Sequence, residues 1–159
     1  MRTLYLLRHA KAVKYPDLTA DIDRPLHETG YMEAYSMASE LFKHNEIPSL
    51  IVSSPAVRAF STALIFQRSL EVPDSNFRMK EKLYDADLND LYEIVADLDD
   101  KYQSVMIVGH NPSFSQFAAK MDASILHVPT AGIVRFDFEV EKWRHSSYIN
   151  AELRLFIYP

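Results

Sequence analysis

Arg8 and His9 stand side by side near the amino terminus. A second arginine, Arg58, follows Ser53-Ser54-Pro55-Ala56-Val57, and a second histidine lies within Gly109-His110-Asn111-Pro112. Guanidinium forks match the paired oxygens of a phosphoryl group, and helix amino termini add backbone N–H donors for the same kind of anion. A neutral imidazole with one ring nitrogen donating to a carbonyl presents the other as a nucleophile. Its ordinary pKa of about 6.5 means that it needs no base. His9, beside Arg8, suits that role, and its attack on phosphorus would leave a phosphohistidine for water to hydrolyse. His110, if protonated, would donate to a phosphoryl oxygen as charge builds, alongside Arg8 and Arg58. Ser53 and Asn111 are further candidate substrate contacts; helix capping is the competing reading for Ser53, Ser54 and Asn111.

This chemistry requires distant segments to meet. Leu4 to Leu7, Leu50 to Val52 and Ser104 to Val108 are short apolar runs that read as strands buried on both faces, and each ends at one of the polar groups. Helical spacing of apolar residues predicts helices from Thr29 to about Lys43, with Thr29 as N-cap, and from Pro55 to before Val72-Pro73, with Arg58 in the first turn. Further helices are predicted over Leu88 to Leu98 and from Pro112 to about Met121, and a short strand over Phe77 to Met79. The segment from Val13 to His27 reads as a loop whose Asp21, Asp23 and Arg24 form a structural ion pair near the pocket. Alternating apolar residues over Ile133 to Val140 and Ile149 to Ile157, with no helix between, predict two antiparallel strands at the sheet edge. The result is an α/β fold with a mostly parallel sheet, whose right-handed crossovers bring the carboxyl ends of the parallel strands to one edge. Residues 1–159 are expected to form a single domain.

Composition narrows the alternatives. With 48% apolar and 25% charged residues, the chain has the balance of an ordinary globular protein. It has no cysteine, so thiolate chemistry and zinc–thiolate sites are excluded. A net charge of −5 argues against nucleic acid as a partner, yet leaves room for a cleft in which a few arginines create a local positive field. No signal-peptide pattern and no apolar run of membrane-spanning length is visible, so no membrane association and a cytoplasmic location are expected.

Leu7-Arg8-His9-Ala10, Ser53-Ser54-Pro55-Ala56-Val57-Arg58-Ala59 with Thr62-Ala63, and Val108-Gly109-His110-Asn111-Pro112 resemble, in order and spacing, the motifs of the histidine phosphatase superfamily, to which phosphoglycerate mutase-like enzymes belong. The modest length, Asp23-Arg24-Pro25-Leu26 and Leu83-Tyr84-Asp85-Ala86 look most like the SixA-type phosphohistidine phosphatases. The resemblance implies a three-layer αβα sandwich of phosphoglycerate mutase-like fold, with His9 phosphorylated and Arg8, Arg58 and His110 holding the phosphoryl group. It implies neither metal nor organic cofactor. Many members supply a Glu to protonate the leaving oxygen; Asp85 and Glu81 are the nearest candidates for that acid here. SixA-type members resemble this chain in lacking an obvious one, which fits phosphohistidine on a protein, because the leaving imidazole is readily protonated.

The alternatives are a phosphomonoesterase acting on a small phosphorylated metabolite, a phosphate-binding module without turnover, and a metal hydrolase built on His9, His110 and an aspartate. The last is disfavoured because two arginines would repel a dication. His27, His44, His127 and His145 read as solvated surface; Tyr5, Phe60, Phe66 and Tyr92 read as core, and Tyr84 as packing.

Overall fold

The apolar run at the amino terminus has no polar face, and the chain supplies it with neighbours on both sides. Leu4 and Leu6 pack on one face of a sheet with Val105, Ile107, Phe114 and Phe117, while Tyr5 and Leu7 pack on the other with Met106, Val108, Ala34 and Phe66. The computed structural model describes residues 1–14 and 20–159. In chain order the elements are β1 (Arg2–Arg8), α1 (Glu28–Lys43), β2 (Leu50–Ser53), α2 (Val57–Ser69), β3 (Phe77–Met79), α3 (Leu88–Ala96), β4 (Ser104–Gly109), α4 (Ser113–Met121), β5 (Ile133–Phe138) and β6 (Ala151–Ile157).

The sheet has six strands in the order β3-β2-β4-β1-β5-β6. The first four strands of the chain run parallel, and β5 and β6 add an antiparallel edge. Helices α1 and α2 cover one face and α3 and α4 the other, giving three layers with a core on each side of the sheet. The chain therefore leaves the neighbouring strands β1 and β4 toward opposite faces. A crevice opens at such a switch point, outside the carboxyl ends of the strands. Register sets its contents: Arg8 lies opposite Gly109, and the His9 N–H donates to the Gly109 carbonyl at 3.0 Å.

The predicted α/β architecture, parallel centre and antiparallel carboxyl-terminal edge are all present. The differences lie at element ends. Helix α1 begins at Glu28 and is capped by His27, whose Nδ1 accepts from the Thr29 N–H at 3.0 Å; Thr29 lies inside the helix. Helix α2 begins at Val57 because Ser54-Pro55-Ala56 form a turn, with the Ser54 hydroxyl accepting from the Ala56 N–H at 3.2 Å. Helix α3 ends at Ala96, earlier than expected, and carries an unforeseen capping box between Asp87 and Asp90. Of the segment 13–27, residues 15–19 lie outside the described residues.

One glycine ties a helix to the site. A Cβ on Gly30 would stand 2.1 Å from the Lys11 carbonyl oxygen, which also accepts from the His27 N–H at 2.8 Å. Helix α1 thus rests directly on the backbone two residues beyond His9. Replacing Gly30 with Ala forces a backbone shift, and overpacking of this kind costs roughly 1–3 kcal/mol. Thermal unfolding of Gly30→Ala is expected to begin several degrees below wild type, with phosphatase activity falling too as residues 9–11 move.

Candidate active site

Several independent contacts hold the ends of β1, β2 and β4 in place. The Ala10 N–H donates to the Thr62 hydroxyl at 3.0 Å, and that hydroxyl donates to the Arg58 carbonyl at 2.7 Å. One threonine on α2 therefore ties the His9 loop to the turn that carries Arg58. On the other side, the Arg8 N–H donates to the Gly132 carbonyl at 3.1 Å, and the Ala131 N–H reaches the carbonyls of Arg8 and His9 at 3.1 and 3.2 Å. Ala131 adopts a left-handed conformation, φ 56°, to do so. The Arg8 guanidinium donates to the Val128 carbonyl at 3.1 Å. Asn111 secures the start of α4: its Oδ1 accepts from the Ser115 N–H and hydroxyl at 3.1 and 2.9 Å, and its Nδ2 donates to Val128.

His9 is buried and His110 half-buried in the crevice, their ring centroids 5.2 Å apart. His9 Nδ1 lies 2.8 Å from the Ala10 carbonyl, so it carries the proton, and Nε2 keeps its lone pair. Burial, with Arg58, Arg8 and Arg24 nearby, pushes the His9 pKa down to about 4 despite the Ala10 hydrogen bond. His110 is pushed down to about 3, first by burial and then by His9 and Arg58, against the pull of Asp21. The condition on which His110 would act as an imidazolium is disfavoured in the unliganded site, because partial burial beside two cationic arginines favours the neutral imidazole. An imidazole in the state of His9 can attack phosphorus, and two arginines stand beside it to take up the charge on the oxygens.

Arg58 is buried, yet already shared. Its guanidinium donates to the Asp21 carbonyl at 2.6 Å and to Asp21 Oδ2 at 2.9 Å. The same carboxylate accepts from Tyr84 Oη at 2.8 Å and Arg24 Nε at 2.9 Å. Partial burial works against ionisation, but these donors outweigh it and hold the Asp21 pKa at about 2.

Two clefts meet at Arg58, His110 and Asn111. One, of about 350 Å3, is lined by His9 with Arg8, Lys11, Lys14 and Arg24, and carries no carboxylate among the described residues. The other, of about 480 Å3, is lined by Asp21, Tyr84, Asp85 and Asp87. His9, Arg8, Arg58 and His110 are thus brought together as their strand ends predicted. Ser53 lines neither cleft; it is fully buried with its hydroxyl donating to the Ser54 carbonyl at 2.9 Å, so its expected substrate contact is withdrawn. Glu81 is exposed and lines neither cleft, which removes it as a candidate acid, whereas Asp85 lines the second cleft with a left-handed backbone, φ 57°. Among the described residues no cluster of three or more His, Asp or Glu side chains is placed to hold a metal ion.

Some neighbours were not foreseen. Tyr84 does more than pack, since it bonds Asp21 and sets its ring edge-on to His110 at 5.8 Å. Of the ion pair expected among Asp21, Asp23 and Arg24, the structure shows Asp21 with Arg24; the reach of Asp21 to Arg58, 37 residues away, was not foreseen. His127, read as surface, is exposed but lies 3.5 Å from the Arg8 guanidinium.

A parallel-sheet crevice that gathers two arginines and two neutral histidines defines a phosphoryl-handling enzyme. The family model for the histidine phosphatase superfamily, branch 1, matches residues 4–107. The chain belongs to the histidine phosphatase superfamily and is a phosphatase. An uncharacterized protein of Mycobacterium leprae is 30% identical over 96% of this chain and 99% of its own. The structure of the SixA candidate phosphohistidine phosphatase of Agrobacterium tumefaciens superimposes with a TM-score of 0.85 at 28% identity, covering 99% of this chain and 98% of that one. The protein histidine phosphatase SixA complexed with tungstate shares the fold at a TM-score of 0.81 and 20% identity, covering 98% of this chain and 96% of that one.

Two outcomes follow from these contacts. Thr62→Val leaves the buried Ala10 N–H without an acceptor, which costs about 1–3 kcal/mol; the urea midpoint is expected to drop accordingly, with activity reduced. The two histidines bind protons less readily folded than unfolded, so stability is complete above about pH 6.5, the unfolded value. It is lost as pH falls toward about 4 for His9 and about 3 for His110. Melting temperatures recorded across this range should decline less steeply in His9→Asn than in wild type.

Proposed function

We propose that this phosphatase works through a covalent phosphohistidine on His9 and removes phosphoryl groups from phosphohistidine on proteins, without a metal. The observation that carries the covalent step is the Nδ1–H bond from His9 to the Ala10 carbonyl, which leaves Nε2 free beside Arg8 and Arg58. His9 lines the cationic cleft and not the acidic one. In-line displacement puts the leaving group opposite the nucleophile, toward Asp21, Asp85 and Asp87.

The chemistry of that side favours a phosphoramidate. Protonation on the other ring nitrogen makes the ring of a phosphohistidine an imidazolium, and that positive ring, as distinct from its negative phosphoryl oxygens, suits a carboxylate-lined cleft. As His9 Nε2 bonds to phosphorus, the P–N bond to the substrate breaks, and its electron pair returns to an imidazole that departs neutral with its own proton. Water then attacks the phosphoryl group on His9, releasing phosphate and a proton and restoring the neutral ring. An alkyl phosphate has no such proton and depends on a positioned acid. Asp21 is held ionised at about 2, and Asp87 caps α3 through the Asp90 N–H at 2.8 Å. The SixA names among the structural relatives point the same way.

The test is to incubate the protein with a phosphohistidine-bearing protein labelled on phosphorus and with sugar or alkyl phosphates, each in the presence of chelator. Label is expected on His9 as an acid-labile, base-stable adduct, with turnover at least about a hundredfold faster on phosphohistidine, the lower end of what a positioned acid is worth to an alkyl ester. Normal turnover by His9→Ala would rule out the covalent step, and faster hydrolysis of alkyl phosphates would transfer the assignment to a small metabolite.

A further inference from the structure

His110 has two ring nitrogens and, being neutral, only one proton. Nε2 lies 2.7 Å from the Ser54 hydroxyl, while Nδ1 is buried and has no hydrogen-bond partner among the described residues. The position of the proton decides whether His110 offers a phosphoryl oxygen a donor or a lone pair.

The geometry points to Ser54 as the residue that sets this proton on Nδ1, making it a positioning residue for the reaction proposed above. Ser54 is fully buried, and its oxygen already accepts from the Ala56 N–H at 3.2 Å. A hydroxyl has one proton to give and, among the described residues, one acceptor within hydrogen-bond distance, His110 Nε2. If Nε2 held the proton instead, the serine hydrogen would have no acceptor and Nδ1 would be a buried bare lone pair. Two buried polar groups would then be unsatisfied, where the opposite tautomer leaves one. That one is an N–H on a ring that lines both clefts, next to Arg58 and His9. An N–H there suits an anion seated against this ring, whereas a lone pair in the same position would repel it.

The same serine is held by its backbone, since the Ser54 N–H donates to the Val108 carbonyl at 3.0 Å, two residues before His110. Serine and histidine therefore come from adjacent strand ends in fixed register. The depressed proton affinity of His110 gives the arrangement its importance: an imidazolium would donate from both nitrogens whatever its neighbour, but a neutral ring donates only where its neighbour directs.

The test reads the tautomer and the rate separately. With histidine labelled on both ring nitrogens, nitrogen NMR of the wild-type protein at neutral pH should give a protonated Nδ1 and an unprotonated Nε2 for His110. In Ser54→Ala the His110 shifts should move toward a tautomer mixture while those of His9 stay, with kcat reduced roughly tenfold, less than the loss of an outright donor. Ser54→Thr, which keeps a hydroxyl, should restore the Nδ1–H signature and most of the rate. A wild-type His110 protonated on Nε2, or Ser54→Ala with unaltered His110 shifts, overturns the proposal. A wild-type protein inactive on every phosphorylated substrate would defeat the phosphatase mechanism proposed above, while the spectrum alone would still support or overturn the role of Ser54.

Discussion

A single hydrogen bond, from His9 Nδ1 to the carbonyl of the next residue, makes the rest of this site intelligible. Imidazole is a nucleophile only in its neutral form and only through the nitrogen without a proton. The Ala10 carbonyl chooses that nitrogen, and burial removes the competing protonated form. The surrounding cations, which could be taken merely as phosphate ligands, also suppress protonation of the ring they flank. In the mechanism proposed for this site, binding of the anion and preparation of the nucleophile are one electrostatic arrangement.

Maintaining that bond requires the chain around Ala10 to stay put, and much of the fold serves this end. Thr62 grips the Ala10 N–H from α2, α1 presses on Lys11 through the missing side chain of Gly30, and the loop before β5 takes the carbonyls of Arg8 and His9. These three supports come from three parts of the sequence and meet at the end of one strand. Pairing of β1 with β4 then brings His110 alongside through register alone.

Much of this was readable in the sequence. Apolar runs ending in polar pairs announced β1, β2 and β4, and strand ends sharing an edge announced the meeting of Arg8, His9, Arg58 and His110. Local periodicity could not announce contacts that depend on tertiary approach. Asp21 looked like a partner for Arg24 three residues away, and its bond to Arg58 exists only because the loop after β1 folds over α2. Ser53 and Ser54 are equivalent by type; the strand turns one inward and the other toward His110, a distinction set by backbone direction at the end of β2. His27 carried no capping signal of the usual residue types, which is why Thr29 was preferred.

The bond between Asp21 and Arg58 bears on the end of the reaction as well as its beginning. A lone buried guanidinium would hold inorganic phosphate strongly and slow its departure. Under the proposed mechanism Arg58 already has a carboxylate to return to, so the departing product would leave a cation with a partner at hand. On that mechanism release is eased at the expense of some initial grip, and the Asp21 carboxylate helps set how readily the emptied crevice takes another round.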